Sequence, residues 1–217
     1  EWKDGWPVLG VDGKVPESFT VPFAETKTEE IIRSDSFSHG ENILKKQWQW
    51  NHAPDNDAWS FTERPGFLRL KNRKPALELL EATNTLTQRT SAPYSEFMVN
   101  LDCSGMKDGD YAGLCALVEQ YGQIGVRQRD GKRNIVLRRR EGKRAPFEVA
   151  GKGIRALKEW YSVTENEISM EAEGIWLKIV FRFNSWGHGA ETAAFFYSFD
   201  GENYYRLGEE LALFYSL

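Results

Sequence analysis

Two stretches of the sequence carry an apolar residue at every second position. In the longer stretch, apolar residues at every second position from Ile175 to Phe183 alternate with Trp176, Lys178, Val180 and Arg182. The shorter stretch runs from Phe97 to Cys103, where Phe97, Val99 and Leu101 alternate with Met98, Asn100 and Asp102. A period of two places alternate side chains on opposite faces of a β-strand. Each stretch therefore predicts a strand with one buried face.

The remaining pattern also favours strands. Further strands are predicted at 66–71, 84–90, 112–120, 123–129, 134–140 and 193–199. The dipeptides Asp130-Gly131 and Asp200-Gly201 are typical hairpin turns, and only the short segment 76–82 has a helical pattern. Many short strands separated by turns every ten or so residues predict an all-β sandwich or barrel.

Length and composition limit the class of protein. The 217 residues suit one domain, or one domain with a trailing piece of another, and can bury a core without staples. No apolar run approaches the roughly 20 residues that span a bilayer, so no membrane partner is expected. The first ten residues lack the apolar core of a secretory signal. The sequence therefore predicts no particular cellular compartment. The net charge of −4 indicates no bulk electrostatic partner.

The only two cysteines are Cys103 and Cys115. This number excludes a disulfide scaffold and a cysteine zinc site. One disulfide or two buried thiols remain as alternatives.

Nine lysines and arginines crowd the segment 127–144: Arg127, Arg129, Lys132, Arg133, Arg138, Arg139, Arg140, Lys143 and Arg144. Such a run is typical of a nucleic-acid-binding patch. However, it spans a predicted hairpin, the rest of the chain is acidic, and no nucleic-acid motif accompanies it. We therefore favour a solvated hairpin, or a face that meets an acidic neighbouring domain, and expect no nucleic-acid partner.

The densest aromatic motif begins at Trp48 and Trp50, which share one strand face. Sugars bind to apolar ring platforms through their C–H faces and to planar polar groups through their hydroxyls. Trp50 could supply the platform. The polar groups could come from Asn51, His52, Glu63 and Arg64. The alternative is that both tryptophans belong to the core and that Glu63 and Arg64 pair to pin a loop.

A polar stripe follows on the segment 84–90, where Thr85, Thr87 and Arg89 share one strand face. It is either a solvated face or the lining of a concave sheet. If the three segments converge on one sheet, the candidate carbohydrate site consists of Trp50, His52, Arg64, Thr87 and Arg89. The next places to search are Tyr111 and Trp186.

Metal and catalytic motifs are sparse. The cluster 55–57 (Asp-Asn-Asp) either ligates calcium or forms an Asx-rich turn, and the missing EF-hand spacing favours the turn. Asp35 and Glu41 are the remaining candidates for metal ligands, so a structural calcium ion is the one cofactor left open. No H-E-x-x-H motif, P-loop or nucleophile elbow occurs, and no carboxylate pair stands out as a glycosidase pair.

Several long motifs occur in an order that resembles one known family. They are residues 48–52 (WQWNH), 59–60 (WS), 62–70 (TERPGFLRL), 84–89 (NTLTQR), 109–114 (GDYAGL) and 197–201 (YSFDG). Together they resemble the C-terminal sandwich of glycoside hydrolase family 43 β-xylosidases and α-arabinofuranosidases, also described as carbohydrate-binding module family 91. The resemblance covers residues 31–217 and implies a concanavalin A-like jelly-roll sandwich of two antiparallel sheets.

The resemblance also implies partners. In the parent enzymes the sandwich packs against a five-bladed catalytic propeller that carries three catalytic carboxylates. Residues 1–30 resemble the segment that leaves this propeller, so they are expected to be a linker or tail. None of the catalytic blades is present, and the chain alone is expected not to be an enzyme. The family normally continues past Leu217 into two more strands, which we expect to be missing here.

We therefore expect a non-catalytic carbohydrate-binding or accessory module for xylan-type polysaccharides. Its partners would be xylan or xylo-oligosaccharide and the propeller of the same enzyme. The alternative is a purely structural domain, which completes the propeller's active site and has no ligand of its own.

Overall fold

The computed structural model describes residues 2–7, 10, 14–15, 17–18, 30–118, 120–142, 161–184 and 191–213. The chain divides into two compact units, Glu1–Ile31 and Ile32–Leu217. In the first unit, β1 (Trp2–Lys3) pairs antiparallel with β2 (Trp6–Pro7). The two turn residues between them, Asp4 and Gly5, both have positive φ angles, as a two-residue hairpin of type I′ requires.

The second unit begins with short ladders. β3 (Gln49–Trp50) pairs with β6 (Leu86–Thr87), and β4 (Trp59–Ser60) pairs with β5 (Arg69–Leu70). Two short 3-10 helices cover Asn56–Ala58 and Leu79–Glu81. The predicted strands at 66–71 and 84–90 and the predicted helix at 76–82 are therefore much shorter than expected. Both β5 residues are exposed, so no buried face is available to extend that ladder.

Two antiparallel sheets form the rest of the unit. Seven longer strands follow in the chain: β7 (Tyr94–Asp102), β8 (Tyr111–Leu117), β9 (Tyr121–Arg129), β10 (Lys132–Gly142), β11 (Tyr161–Met170), β12 (Gly174–Arg182) and β13 (Glu191–Ser198). β14 (Tyr205–Arg206) and β15 (Leu211–Leu213) both pair with β13. One sheet has the order β11-β10-β9-β8, and the other has the order β14-β13-β12-β7 with β15 also on β13.

The core lies between these two sheets. Ile124, Ile135 and Leu137 from the four-stranded sheet are fully buried in the same cluster as Leu177 and Phe195 from the five-stranded sheet. Odd-numbered residues of β12 face this core, as the period of two predicted. The all-β sandwich of two antiparallel sheets is thereby confirmed.

Turn chemistry was predicted well, and one of the seven longer strands was missed. Asp130 and Gly131 have φ angles of 51° and 70° and connect β9 to β10 directly. The hairpin at Asp200-Gly201 also forms, with a longer loop of residues 199–204 between β13 and β14. β11 escaped prediction because its residues 163–169 are all exposed, so the strand has no buried stripe to reveal it. In the described part of the chain, no helix has the length and hydropathy to cross a bilayer.

Candidate functional site

Five aromatic rings of the segment 37–61 form a continuous row. Trp48 lies 5.8 Å from Phe37, and Phe37 stacks on Phe61 at 5.2 Å. Phe61 contacts Trp59 at 5.3 Å, and Trp59 contacts Trp50 at 5.4 Å with an interplanar angle of 54°. These are normal separations for favourable ring pairs. The row therefore organises a region that has almost no regular secondary structure.

The buried carboxylate of Asp35 anchors one end of this row. It accepts hydrogen bonds from Lys45 Nζ at 2.6 Å, the Phe37 backbone N–H at 3.0 Å and Trp48 Nε1 at 3.0 Å. Burial raises the pKa of Asp35, but these three donors outweigh that effect and hold the pKa below its ordinary value. The charge of Asp35 is thus balanced by Lys45.

The two candidate calcium ligands occupy different settings. Asp35 is engaged by N–H donors, whereas Glu41 is exposed. Within the described ranges, no three His, Cys, Asp or Glu side chains gather closely enough to hold a metal ion. The calcium ion therefore stays a prediction.

Trp50 is half-buried at the other end of the row. One side of its ring packs against Trp59, whose own Nε1 donates to Asn56 Oδ1 at 3.1 Å. The indole N–H of Trp50 makes no hydrogen bond to any described residue. The ring is consequently neither a fully buried core residue nor a free platform.

The β3–β6 register separates two of the candidate site residues. Trp50 is opposite Leu86, and Gln49 is opposite Thr87. Directly opposed residues share a face and neighbours along a strand do not, so Thr87 lies on the face away from Trp50. The Thr87 hydroxyl donates to the backbone carbonyl of Gln49 at 2.8 Å.

The other candidates have separate contacts. His52 Nε2 donates to the backbone carbonyl of Leu80 at 2.7 Å. Arg64 donates to the Asp102 carboxylate, and its guanidinium lies 3.7 Å above the Phe67 ring. Arg89 is exposed and contacts no charged group among the described residues. No two of the five candidates are joined by a hydrogen bond, an ion pair or a ring contact.

The alternative in which Glu63 pairs with Arg64 to pin a loop is wrong. Glu63 instead pairs with Arg69 at 3.5 Å and with Lys71. The register of β4 with β5 explains this choice, because it brings Arg69 opposite Ser60 and so close to the corner that carries Glu63. Arg64 pairs instead with Asp102, the last residue of β7.

The acidic cluster 55–57 is an Asx turn, as favoured. Asp55 caps the 3-10 helix Asn56–Ala58 by accepting a hydrogen bond from the Asp57 backbone N–H. Arg73 pairs with Asp55 at 3.2 Å and with Asp57 at 3.3 Å.

The basic run is largely neutralised within the chain. Arg127 pairs with Glu165 and Glu167 at 3.0 and 2.6 Å, and Arg138 pairs with Glu78 at 3.5 Å. These partners come from the missed strand β11 and from the segment before the second 3-10 helix. Lys143 and Arg144 lie outside the described residues. The absence of a nucleic-acid partner stays a prediction.

Of the two further positions to search, Tyr111 and Trp186, the structure describes only Tyr111. The Tyr111 hydroxyl donates to the backbone carbonyls of Gln123 and Val136, at 2.9 and 3.0 Å. This ring is therefore part of the sheet structure. Trp186 lies outside the described residues.

Sequence reasoning left one surface unexamined. On β7 and β12 the alternation was used to find the core, and the outward-facing Met98 and Lys178 were counted only as the other half of the pattern. The sequence does show this surface, because Met98 and Asn100 in one stretch and Trp176 and Lys178 in the other occupy the outward positions.

Comparison with known proteins identifies the family. The model of the beta xylosidase C-terminal concanavalin A-like domain matches residues 34–216. A beta-xylosidase of Formosa agariphila is 28% identical over 95% of this chain, which spans 35% of that protein. A putative beta-xylosidase of Xylanibacter ruminicola is 30% identical over 58% of this chain, which spans 24% of that protein.

Solved structures show the same similarity. A bifunctional GH43-CE protein of Bacteroides eggerthii superposes with a TM-score of 0.74 at 36% identity, over 97% of this chain and 25% of the other. A GH43 glycoside hydrolase with engineered endo-xylanase and exo-arabinofuranosidase activity superposes with a TM-score of 0.75 at 27% identity, over all of this chain and 42% of the other. The chain therefore spans less than half of each relative's length. It belongs to the family of beta-xylosidase C-terminal concanavalin A-like domains, the non-catalytic part of glycoside hydrolase family 43 enzymes.

Proposed function

We propose that this domain binds xylan-type β-linked polysaccharides and acts as an accessory module to a family 43 catalytic domain. Two of the relatives are named as beta-xylosidases, a name that denotes enzymes acting on xylosides. The chain spans only 35% of the first of them. A catalytic propeller is therefore the proposed partner domain, and xylan or xylo-oligosaccharide the proposed ligand.

The half-exposed ring pair of Trp50 and Trp59 is the observation that supports binding. A tilted pair of indoles offers an apolar surface, and the unused N–H of Trp50 offers a donor at its edge. Stacking and hydrogen bonds of this kind contribute on the order of 1 kcal/mol each. In this proposal Trp50 supplies the platform. His52, Arg64 and Arg89 remain the candidate polar groups, whereas Thr87 lies on the opposite face of the β3–β6 ladder from Trp50.

A second candidate function is purely structural. Two of the candidate polar residues support it, because they bind other parts of the domain: Arg64 binds Asp102, and His52 binds the Leu80 carbonyl. A domain of this kind would complete the neighbouring active site and bind no sugar of its own.

Retention on insoluble polysaccharide separates the two functions. The 217-residue chain is incubated with insoluble xylan, and with cellulose and arabinan as comparison matrices. A binding module is retained on xylan more strongly than on the other two. A purely structural domain stays in the supernatant with all three, and that result would contradict the proposal.

A further inference from the structure

The outward side of the five-stranded sheet carries a mixed aromatic and polar surface. Even-numbered residues of β7 and β12 face away from the core, and the register sets them in two rows across the strands. One row is Asn100, Trp176 and Ser198, and the next is Met98, Lys178 and Phe196. Rows two residues apart along a strand are separated by about 7 Å. Ser198 is fully buried and its hydroxyl is hydrogen-bonded to Asp200. We call the other side chains of these two rows, with Tyr204, the outer platform.

Tyr204 lies across the second row. Lys178 Nζ is 3.9 Å from the centre of the Tyr204 ring and 5.6 Å from that of Phe196. The Tyr204 hydroxyl reaches Met98 Sδ at 3.5 Å. The ring is therefore held in a defined position over the sheet by an ammonium group beneath it.

The hairpin loop 199–204 positions both large rings of the platform. Asp200 accepts hydrogen bonds from Ser198 Oγ at 2.8 Å and from the Asn203 backbone N–H at 2.8 Å, which fixes the turn. A Cβ at Gly201 would lie 2.9 Å from Trp176 Nε1, so glycine allows the loop to rest directly against the indole. This hydrogen-bonded loop thus contacts Trp176 in the first row and places Tyr204 over Lys178 in the second.

One polar group beside these rings is not engaged elsewhere. Asn100 is exposed and makes no hydrogen bond to any described residue, whereas Lys178 packs under the Tyr204 ring and has no carboxylate partner in the described part of the chain. Met98 is 51% exposed next to them. The outer side of the four-stranded sheet differs, because its Arg127 and Arg138 are paired with glutamates.

We infer that the outer platform is a second sugar-binding surface, which takes a β-linked pyranose chain. The inference rests on the proposed function, that the domain binds xylan-type polysaccharide. The free face of the Tyr204 ring and the Trp176 ring fit the C–H faces of successive sugars, and the Asn100 amide fits their hydroxyls, while Lys178 holds the Tyr204 ring from below. A lysine in the middle of the surface argues against a protein partner, because lysine is depleted from the centres of protein interfaces.

Binding of xylohexaose to the 217-residue chain tests the inference. Titration is followed by the chemical shifts of the indole and amide groups, in parallel with retention on insoluble xylan. The variants are Tyr204→Ala and Asn100→Ala, with Trp50→Ala for comparison. Tyr205→Ala is the matched control, because Tyr205 is 56% exposed on the same hairpin but pairs with the inward-facing Tyr197. Melting temperature reports whether each variant folds.

The expected result is a loss of affinity of about tenfold for Tyr204→Ala and of several-fold for Asn100→Ala, with Tyr205→Ala within about twofold of the parent. Asn100→Ala keeps the test valid if Tyr204→Ala fails to fold. If the parent binds and both platform variants bind equally well, the inference is wrong while the proposed function stands. If the parent binds neither xylohexaose nor xylan, both are wrong.

Discussion

Arg64 donates a hydrogen bond to the Asp102 carboxylate and so ties the Pro65-Gly66 corner to the end of β7. The same carboxylate accepts hydrogen bonds from Ser104, through its hydroxyl at 2.7 Å and its backbone N–H at 3.0 Å. The guanidinium also covers the Phe67 ring. Together these contacts fasten an irregular segment to the sandwich.

We expect Asp102→Asn to lower the free energy of unfolding by about 1–2 kcal/mol at pH 7, because the side chain is partly exposed and its ion pair is screened. Urea unfolding measures this loss. Asp130→Asn is the matched control, since its side chain is 89% exposed, and it should stay within about 0.5 kcal/mol of the parent.

The effect of Asp102→Asn should depend on pH. The hydrogen bonds of Ser104 and the contact with Arg64 lower the pKa of Asp102 from 3.8 to about 2. A carboxylate with a lowered pKa stabilises the fold fully above its unfolded value, and this contribution is lost as the pH falls through the folded value. The stability difference between parent and variant should therefore shrink when the pH is lowered from 5 to 3. A constant difference over this range would contradict the assignment.

Trp50→Ala should weaken retention on xylan by several-fold and lower stability by about 1–3 kcal/mol, less than the loss for a fully buried tryptophan, because the ring is half-buried. Retention and melting temperature are measured on the same preparation.

Arg89→Ala is the companion variant. It should leave stability within about 0.5 kcal/mol of the parent, because the side chain is exposed, and should reduce retention if Arg89 contacts the sugar. If Trp50→Ala unfolds the domain and Arg89→Ala binds like the parent, the proposed site is wrong.

Gly122→Ala should destabilise the sandwich by about 1–3 kcal/mol through overpacking. A Cβ at Gly122 would overlap Cζ of Phe195, which is fully buried in the core. Gly105→Ala is the matched control, since a Cβ there meets no atom within 4 Å. Chemical unfolding of both variants measures the difference, and equal stabilities would show that the core at Phe195 adapts easily.

The isolated chain should not hydrolyse aryl xylosides or arabinosides, because the family match places it in the non-catalytic domain. Release of the aryl group is measured with a preparation tested for contaminating glycosidases. Turnover by a pure preparation would require a carboxylate pair within this domain, at a separation of roughly 5–9 Å.

The sequence by itself determined the sandwich and its two clearest strands. A period of two at Phe97–Cys103 and Ile175–Phe183 can bury only one set of side chains, and the hairpin dipeptides need positive φ angles that few other pairs tolerate. These are local properties, so they are visible without the fold. The family resemblance, now confirmed by the family model, has the same origin in short ordered motifs.

Tertiary structure alone decided what the polar side chains do. Arg64 lies one residue from Glu63, yet it pairs with Asp102, 38 positions away. Tyr204 meets Lys178 only because a hairpin loop folds back over β12. β11 is a strand because it pairs with β10 along its whole length, although the side chains of residues 163–169 are exposed. Such partners are chosen by strand register and loop closure, which depend on contacts between segments far apart in the chain and leave no periodic trace in the sequence.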